Sequence, residues 1–176
     1  LLKFATMLKD SPHIGTGTVT VANDPRVLPV GRFLRKTKLN ELPQLLNILK
    51  GDMSVIGPRP QTKRCFDAFP AAAQADIVRV RPGLSGIGSI IFRGEEHLYE
   101  GFHDPDWVYD TLIMPYKGEL ERWYVRHCRL RNYFLLIALT VWVVLRPGSR
   151  LVWRVLPSLP PPPAELAERL SPNAGG

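Results

Sequence analysis

The chain has 176 residues, of which 45% are hydrophobic and 22% charged, a composition typical of one modest globular domain. The net charge of +7 and the pI near 9.7 indicate an anionic partner: a nucleic acid, an anionic membrane or a phosphorylated substrate. A basic surface that only confers solubility is the alternative. The two cysteines and four histidines show no metal-ligand spacing, and no stretch reaches the roughly 18 apolar residues that a membrane-spanning helix needs.

The N-terminal part, residues 1–34, is predicted to be extended and rich in turns. It alternates Thr and Val and then breaks at Asn23-Asp24-Pro25, a strong turn signal. The triplet Gly15-Thr16-Gly17 lacks the full glycine pattern of a phosphate loop, and we interpret it as an ordinary loop.

A helix is predicted from Glu41 to Lys50. Asn40 is the expected N-cap, Pro43 falls in the first turn, and Gly51 ends the helix. Leucines recur at helical spacing and are expected to form its buried face: Leu39, Leu42, Leu45, Leu46 and Leu49.

The rest of the chain is predicted to be mostly helical. The expected elements are a helix over 61–80 that is interrupted near Pro70, a loop with a short strand over 81–96, one or two helices over 107–127, and an apolar helix over Tyr133–Leu145. The run of prolines after Leu159 predicts a flexible tail. We therefore divide the chain into a core (1–127), a helical segment (128–156) and a Pro-rich tail (157–176).

Basic residues cluster on both sides of the leucine helix, and Arg59 follows it in a turn held by two prolines. Glu41 is the one carboxylate at the start of the helix. It can be an ion-paired helix start, or it can hold Mg²⁺ against phosphate oxygens, and the residues alone leave both interpretations open.

Four stretches in this order resemble the bacterial sugar transferase family, the monotopic phosphoglycosyl transferases. They are "LKFATM" (2–7), "NDPRVLPVGRFLRKT" (23–37), "RKTKLNELPQLLNILKGDMSVIGPRP" (35–60) and "RPGLSGIGSIIFRGEE" (81–96). The resemblance covers roughly residues 2–96 and is looser beyond.

The resemblance implies an α/β fold, mostly helical with short strands, and interfacial amphipathic helices. It also implies a Mg²⁺-dependent enzyme that transfers a sugar-1-phosphate from a UDP-sugar to a polyprenyl phosphate such as undecaprenyl phosphate, with release of UMP. Such enzymes begin exopolysaccharide, O-antigen or glycoprotein glycan assembly on the cytoplasmic face of the bacterial inner membrane. They use an Asp-Glu dyad, in which the Asp is the nucleophile and the Glu is linked to the metal.

Carried over by motif, Glu41 matches the metal-linked Glu. The expected phosphate-binding residues, with Arg26 included from the basic cluster, are Lys3, Arg26, Arg35, Arg59 and Arg93. A diphosphate needs several cations, and the planar fork of arginine suits phosphate oxygens.

Asn40 stands where the family has its nucleophilic Asp, and a neutral amide is not a competent nucleophile towards phosphate. Four explanations stay open. Glu41 or another carboxylate, such as Asp24 or Asp52, takes over; the polyprenyl phosphate attacks directly; the substitution is an engineered trap; or the protein is a membrane-bound pseudoenzyme that binds a nucleotide sugar or a partner. In addition, Ala5 replaces an arginine of the family pattern.

The re-entrant helix of the family is expected to precede Leu1 in a longer protein. The Tyr133–Leu145 segment, flanked by arginines, is interpreted as a helix in the lipid headgroup region, with a buried core helix as the alternative. The expected partners are the UDP-sugar, the polyprenyl phosphate and the lipid surface. Nucleic acid is not expected, because no binding motif or lysine-rich stripe is present, and a homodimer is left open.

Overall fold

The computed structural model of the protein describes residues 1–14, 24–37, 39–93, 98 and 103–170. These residues form a mostly helical α/β fold, as predicted. The elements in chain order are α1 (Pro29–Lys36), α2 (Gln44–Lys50), β1 (Ser54–Ile56), α3 (Lys63–Asp67), α4 (Ala71–Ile77), β2 (Gly83–Ser85), α5 (Ile87–Ile91), α6 (Pro105–Val108), α7 (Met114–Arg126), α8 (Leu130–Leu145), α9 (Leu151–Val155) and α10 (Ala164–Leu170).

The two strands pair in parallel, with Ser54 opposite Gly83 and Ile56 opposite Ser85. Because both strands end at the same edge, the segments that follow them meet there. One is the Gly57–Pro60 turn after β1, and the other is α5 after β2. The Gly57 amide donates to the Ser85 carbonyl at 2.9 Å and joins the turn to the last residue of β2.

The core surrounds α7, which packs against α4 and α5. Met114 and Leu120 of α7 are fully buried, and the Tyr124 hydroxyl donates to the Ile56 carbonyl at 3.2 Å. This hydrogen bond ties the central helix to the edge where the strands end.

A π-helical turn over Tyr109–Ile113 joins α6 to α7, so the region predicted as one or two helices is continuous. Pro115 explains the turn. Proline has no N–H to donate to the carbonyl four residues earlier, and its ring would crowd that carbonyl in a regular α-helix. The wider turn accommodates it.

The N-terminal prediction is confirmed in part. Met7 and Val27 form an antiparallel bridge, but α1 begins at Pro29, inside the region expected to be extended. Proline at the first helical position favours a helix start, which the prediction overlooked. The Gly15–Gly17 triplet, Asn23 and Lys38 lie outside the described residues.

The prediction for the leucine helix was wrong at its start and on its buried face. Leu39–Glu41 form a separate 3₁₀ turn and α2 begins only at Gln44, so Asn40 is not its N-cap. The end at Gly51 is confirmed, with φ at +84°. Gln44 and Asn47 are the buried residues of α2. All five leucines are exposed, and Leu49 is the most exposed at 83%.

Other elements follow the sequence more closely. Two helices, α3 and α4, flank Pro70 as predicted, and β2 is the expected short strand. Helix α5 was not predicted, because its five residues are too few for a periodic pattern to distinguish a helix from a strand or loop.

Residues 157–170 correct the expectation of a flexible tail. Leu166 of α10 is fully buried, the Tyr116 hydroxyl donates to the Pro160 carbonyl at 2.9 Å, and Arg169 donates to the Leu98 carbonyl at 3.0 Å. The proline run holds an extended path across the surface, and two leucines, Leu159 and Leu166, anchor it. The last six residues, 171–176, lie outside the description.

Helix α8 contains the predicted apolar segment. Leu136, Leu139 and Val143 are buried against the core, while Phe134 and Leu145 are exposed. Among the described residues, no helix combines the length and hydropathy needed to cross a bilayer.

Truncating the buried side of α8 tests this arrangement. We expect Leu136→Ala to lower the free energy of unfolding by about 2–5 kcal/mol, because it leaves a cavity in the core. The matched change Leu145→Ala removes a side chain that is 70% exposed and should cost far less. Urea denaturation of both variants measures the difference, and equal losses would contradict the buried stripe.

Candidate active site

A cavity of about 640 Å³ lies between α2, the ends of the two strands, α5, α7 and α8. Its wall combines charge with apolar surface. The charged residues that line it are Arg35, Arg59, Arg93, Lys117, Glu41 and Glu121. Four cations and two carboxyl groups in one cavity suit a ligand with several negative charges.

Arg59 and Glu41 meet at this cavity. Glu41 belongs to the 3₁₀ turn before α2, and Arg59 stands between Pro58 and Pro60 after β1. The Arg59 guanidinium donates to Glu41 Oε1, and the Lys3 ammonium lies 4.0 Å from the same oxygen. Three residues singled out from the sequence are therefore in contact, although they come from three separate segments.

The other two expected arginines that line the cavity come from different sides of it. Arg35 of α1 is half-buried and donates through Nε to the Thr6 hydroxyl at 2.9 Å. Arg93 follows α5 and is exposed. Both can reach an anion in the cavity from the protein surface.

Arg26 does not line the cavity, contrary to its expected role with phosphate. It is buried, with its Nε 2.9 Å from Asp24 Oδ1, and it also donates to the carbonyls of Ser11 and Ile14 at 2.9 and 2.8 Å. Its hydrogen bonds to Asp24 raise the pKa of the guanidinium further. This is a structural ion pair that holds the N-terminal segment.

The substitute carboxylates considered from the sequence also lie elsewhere. Asp24 is committed to Arg26, and Asp52 is exposed at the end of α2; neither lines the cavity. Among the described residues, Glu41 and Glu121 are the carboxyl groups of the cavity wall.

Asn40 is buried, with 3% of its surface exposed, and it does not line the cavity. Its backbone carbonyl accepts from the Phe4 amide at 3.1 Å. Its side-chain Oδ1 has no hydrogen-bond partner among the described residues. A neutral amide costs less to bury in such a place than a carboxylate would, so Asn40 suits its surroundings here as an uncharged group.

Glu121 is the residue that sequence reasoning missed. It lies on α7, is 4% exposed, and its Oε2 has no hydrogen-bond partner in the described part of the chain. Gly88 of α5 packs so closely that a Cβ there would lie 2.5 Å from Glu121 Oε1, so a larger residue would force the carboxyl group to move. The signal was present in the sequence: Glu121 lies between Leu120 and Tyr124 on the apolar face of a helix.

Burial raises the pKa of Glu121 to about 8. Hydrogen bonds from the backbone of Gly88 and Arg59, and the positive charges of Lys117 and Arg59, favour the ionised form but do not offset the loss of water. Glu121 is therefore mostly protonated at neutral pH.

Lys117, also missed from the sequence, lies one turn before Glu121. Its ammonium is 4.9 Å from the centre of the Phe92 ring and 5.7 Å from that of Tyr109. The two rings hold the cation at the cavity wall.

The uncharged part of the cavity wall continues onto the surface. Leu42 just before α2, Leu45 of α2, and Val141 and Val144 of α8 line the cavity, and all four are also exposed. The cavity thus offers positive charge inside and apolar surface at its rim, which suits a ligand with a phosphate head and an apolar chain.

The comparison with known families agrees with this geometry. The family model described as "Bacterial sugar transferase" matches residues 1–147. The chain belongs to this family.

Relatives of the chain include two named phosphotransferases and a protein named for exopolysaccharide production. Undecaprenyl-phosphate galactose phosphotransferase of Salmonella typhimurium is 38% identical over 70% of this chain and 22% of its own length. Exopolysaccharide production protein ExoY of Rhizobium meliloti is 49% identical over 53% of this chain and 47% of its own length. UDP-N-acetylgalactosamine-undecaprenyl-phosphate N-acetylgalactosaminephosphotransferase of Aeromonas hydrophila is 34% identical over 82% of this chain and 31% of its own length.

The chain thus spans less than half the length of each of these three relatives. Their names describe transferases or polysaccharide production, so the alternative of a pseudoenzyme gains no support from them.

The pKa of Glu121 predicts a pH-dependent stability. A carboxyl group whose pKa is raised on folding, here from 4.5 to about 8, binds more protons in the folded chain, so stability falls as the pH rises between these values. Glu121→Gln removes this pH-dependent fall in stability, because glutamine does not titrate. The stability of the variant relative to the parent should rise between pH 5 and pH 8 by on the order of 1 kcal/mol for each pH unit and level off above that.

Thermal or urea unfolding across this pH range provides the measurement. Glu119→Gln is the matched control, since Glu119 lies on the same helix, is partly exposed and pairs with Arg122. A pH dependence that is the same in parent, Glu119→Gln and Glu121→Gln would show that Glu121 titrates normally.

Proposed function

We propose that the full-length protein transfers a sugar-1-phosphate from a UDP-sugar to undecaprenyl phosphate or a similar polyprenyl phosphate and releases UMP. In this reaction an oxygen of the polyprenyl phosphate bonds to the sugar-bearing phosphorus. The bond from that phosphorus to the bridging oxygen breaks, and UMP leaves with this oxygen. The supporting observation is the cavity, which is lined by four cationic side chains and opens onto an apolar rim. Such a cavity suits a ligand with a charged diphosphate and an apolar chain.

The charged residues of the cavity neutralise the diphosphate. Phosphoryl transfer depends mainly on positioning and on neutralising charge in the transition state. Arg59, fixed between two prolines, and Lys117, fixed against two rings, are preorganised for this role. Arg35 and Arg93 approach from the open side of the cavity.

Mg²⁺ is proposed as the cofactor, with Glu41 as its protein ligand. The described residues include no group of three His, Cys, Asp or Glu side chains that could hold a metal by themselves. Mg²⁺ characteristically binds through one or two carboxylates together with substrate phosphates, so a single Glu41 beside the diphosphate fits this ion. When bound, Mg²⁺ would neutralise charge on the phosphate oxygens.

Asn40 bears on whether the transfer occurs in one step or through a phosphosugar-enzyme intermediate. It is neutral, buried and outside the cavity wall, so it offers no nucleophile. Glu41 is held by Arg59, and Glu121 Oε2 is buried. We therefore propose direct attack by the polyprenyl phosphate, without a phosphosugar-enzyme intermediate.

A UMP-release assay of the full-length protein tests the reaction. We expect UMP only when a UDP-sugar, undecaprenyl phosphate and Mg²⁺ are all present. UMP release without the acceptor would contradict direct attack, and release in excess EDTA would contradict the Mg²⁺ proposal. No UMP from a panel of UDP-sugars would contradict the proposed function.

The same assay separates the roles of three residues. Glu41→Gln should lower kcat at least a hundredfold, while Asp52→Asn, an exposed carboxylate outside the cavity, should leave it unchanged. Asn40→Asp should destabilise the protein and not raise activity, because it buries a charge without a partner. If the parent protein releases no UMP and Asn40→Asp does, the parent protein is instead one that has lost catalytic activity.

We also propose that the rim of the cavity rests on the cytoplasmic face of the bacterial inner membrane. Leu45 of α2 and Val141 and Val144 of α8 are exposed and line the cavity. The same two helices also expose Leu46, Leu49, Phe134 and Trp142. Arg129, Arg131, Arg146 and Arg150 flank α8 and can contact anionic headgroups. The acceptor's chain would then stay in lipid while its phosphate enters the cavity.

Vesicle binding tests this surface. We expect Leu46→Glu together with Leu49→Glu to weaken cosedimentation with vesicles containing anionic lipid, because both changes place charge in the apolar face. Val78→Glu is the control, since Val78 is 69% exposed at the end of α4 and does not line the cavity. Equal effects of the two sets of changes would argue that the leucine face does not contact lipid.

A further inference from the structure

Two pairs of hydroxyl groups join α8 to the two-stranded sheet. Tyr133, in the first turn of the helix, hydrogen-bonds to Ser54 of β1 at 3.2 Å. Two turns later, Thr140 hydrogen-bonds to Ser85 of β2 at 2.9 Å. Ser85 and Thr140 both line the cavity, whereas Ser54 and Tyr133 do not. The Ser85–Thr140 pair is therefore a polar part of the cavity wall to which the proposed reaction assigns no role.

The direction of the hydrogen bond between Ser85 and Thr140 is determined by a third group. A hydroxyl carries one proton. Thr140 donates its proton to the Leu136 carbonyl, one helical turn earlier, at 2.7 Å, so in the pair it accepts from Ser85. No other described residue hydrogen-bonds to the Ser85 hydroxyl. Ser85 thus has its proton engaged, and its oxygen can still accept a hydrogen bond from a ligand.

An oxygen that can accept but not donate distinguishes among the groups of the proposed ligands. Phosphate oxygens are acceptors, so the Ser85 hydroxyl offers them nothing. A polyprenyl chain has no group that donates a hydrogen bond. The donors of a UDP-sugar are the hydroxyl groups of the sugar and of the ribose, together with the N–H of uracil. The Ser85 oxygen therefore suits either the sugar or the nucleoside.

The position of the pair in the cavity favours the sugar. In the proposed reaction the attacking oxygen of the acceptor and the leaving oxygen of UMP lie roughly in line on opposite sides of the phosphorus. The acceptor enters from the rim, where Val141 and Val144 are exposed, and Thr140 directly precedes Val141. The nucleoside then lies on the side away from this rim. The sugar stays bonded to the phosphorus that the acceptor attacks, so it is the part of the donor closer to Thr140.

We propose that Ser85 is a specificity-determining residue whose oxygen accepts a hydrogen bond from one hydroxyl group of the donor sugar. Thr140 is the positioning residue, because it holds the proton of Ser85 away from the ligand. The inference rests on the proposed function, since it takes a UDP-sugar as the ligand. The other residues of α8 that line the cavity are apolar: Ile137, Val141, Val143 and Val144. On this wall the sugar therefore meets one polar contact.

Binding of sugar analogues to the full-length protein tests the assignment. The probes are UDP-glucose, UDP-galactose and the analogues of each in which fluorine replaces one ring hydroxyl, and calorimetry with Mg²⁺ and without acceptor measures their affinity. Fluorine cannot donate a hydrogen bond. For the UDP-hexose that binds more tightly, we expect fluorine at one ring position to lower the affinity about two- to tenfold, which is the contribution of one neutral hydrogen bond.

Substitutions in the pair identify the residue that reads this hydroxyl. Ser85→Ala should weaken UDP-hexose binding by the same factor, remove the penalty for fluorine and leave the affinity for UDP unchanged. Thr140→Val should reduce the penalty for fluorine, because the proton of Ser85 is then free to turn towards the ligand. Ser54→Ala is the matched control: it removes the other hydroxyl pair between sheet and helix, outside the cavity, and should keep the full penalty.

The outcomes separate the inference from the proposed function. Equal affinity for all analogues, or an equal loss of UDP and UDP-hexose binding in Ser85→Ala, would overturn the inference alone. Loss of the fluorine penalty in Ser54→Ala would do the same, since it would show a general effect of loosening α8. If Ser85→Ala does not fold, Ser85→Thr, which retains the hydroxyl, should keep the penalty, and the parent's analogue series still decides. No binding of UDP or of either UDP-hexose would overturn the proposed function and the inference together.

Discussion

The contact between Arg59 and Glu41 is the constraint on which the site depends. It joins two segments that the chain separates by α2 and β1, and Lys3 approaches the same carboxylate from the N-terminal segment. Glu121, the other carboxyl group of the cavity wall, lines the same cavity as this pair. The prolines on either side of Arg59 limit how far it can move.

The parallel pairing of β1 and β2 makes this contact possible. Two strands of three residues each bury little surface by themselves. Their stability comes from α7, whose Tyr124 and Glu121 pack against the ends of both. The two short strands are thus held by α7, a helix with many buried residues, and the cavity forms where they meet.

The sequence predicted the features that have a local cause. Gly51 ends α2 through its left-handed backbone, and Pro70 separates α3 from α4. It could not predict which face of α2 is covered, because periodicity identifies an apolar face and says nothing about what lies against it. For the same reason Arg26 was placed with the phosphate-binding residues: its charge was evident, but its burial with Asp24 depends on how the N-terminal segment folds back. Glu121 was detectable only as a charged residue on an apolar face, a weak signal until its partners are known.

The π-helical turn at Tyr109–Ile113 determines which side chains on either side of it face the same part of the cavity wall. An α-helix advances about 100° per residue, so one extra residue in a turn rotates everything before it relative to everything after. Tyr109 lies at the start of this turn and Lys117 follows it, yet the ring of one lies beside the ammonium of the other. Loss of a single residue between them would turn the aromatic side chain away from the cation, and it would place Pro115 in a regular helix that cannot accept it. The site therefore depends on the spacing between Tyr109 and Lys117 along the chain as well as on the identity of these residues.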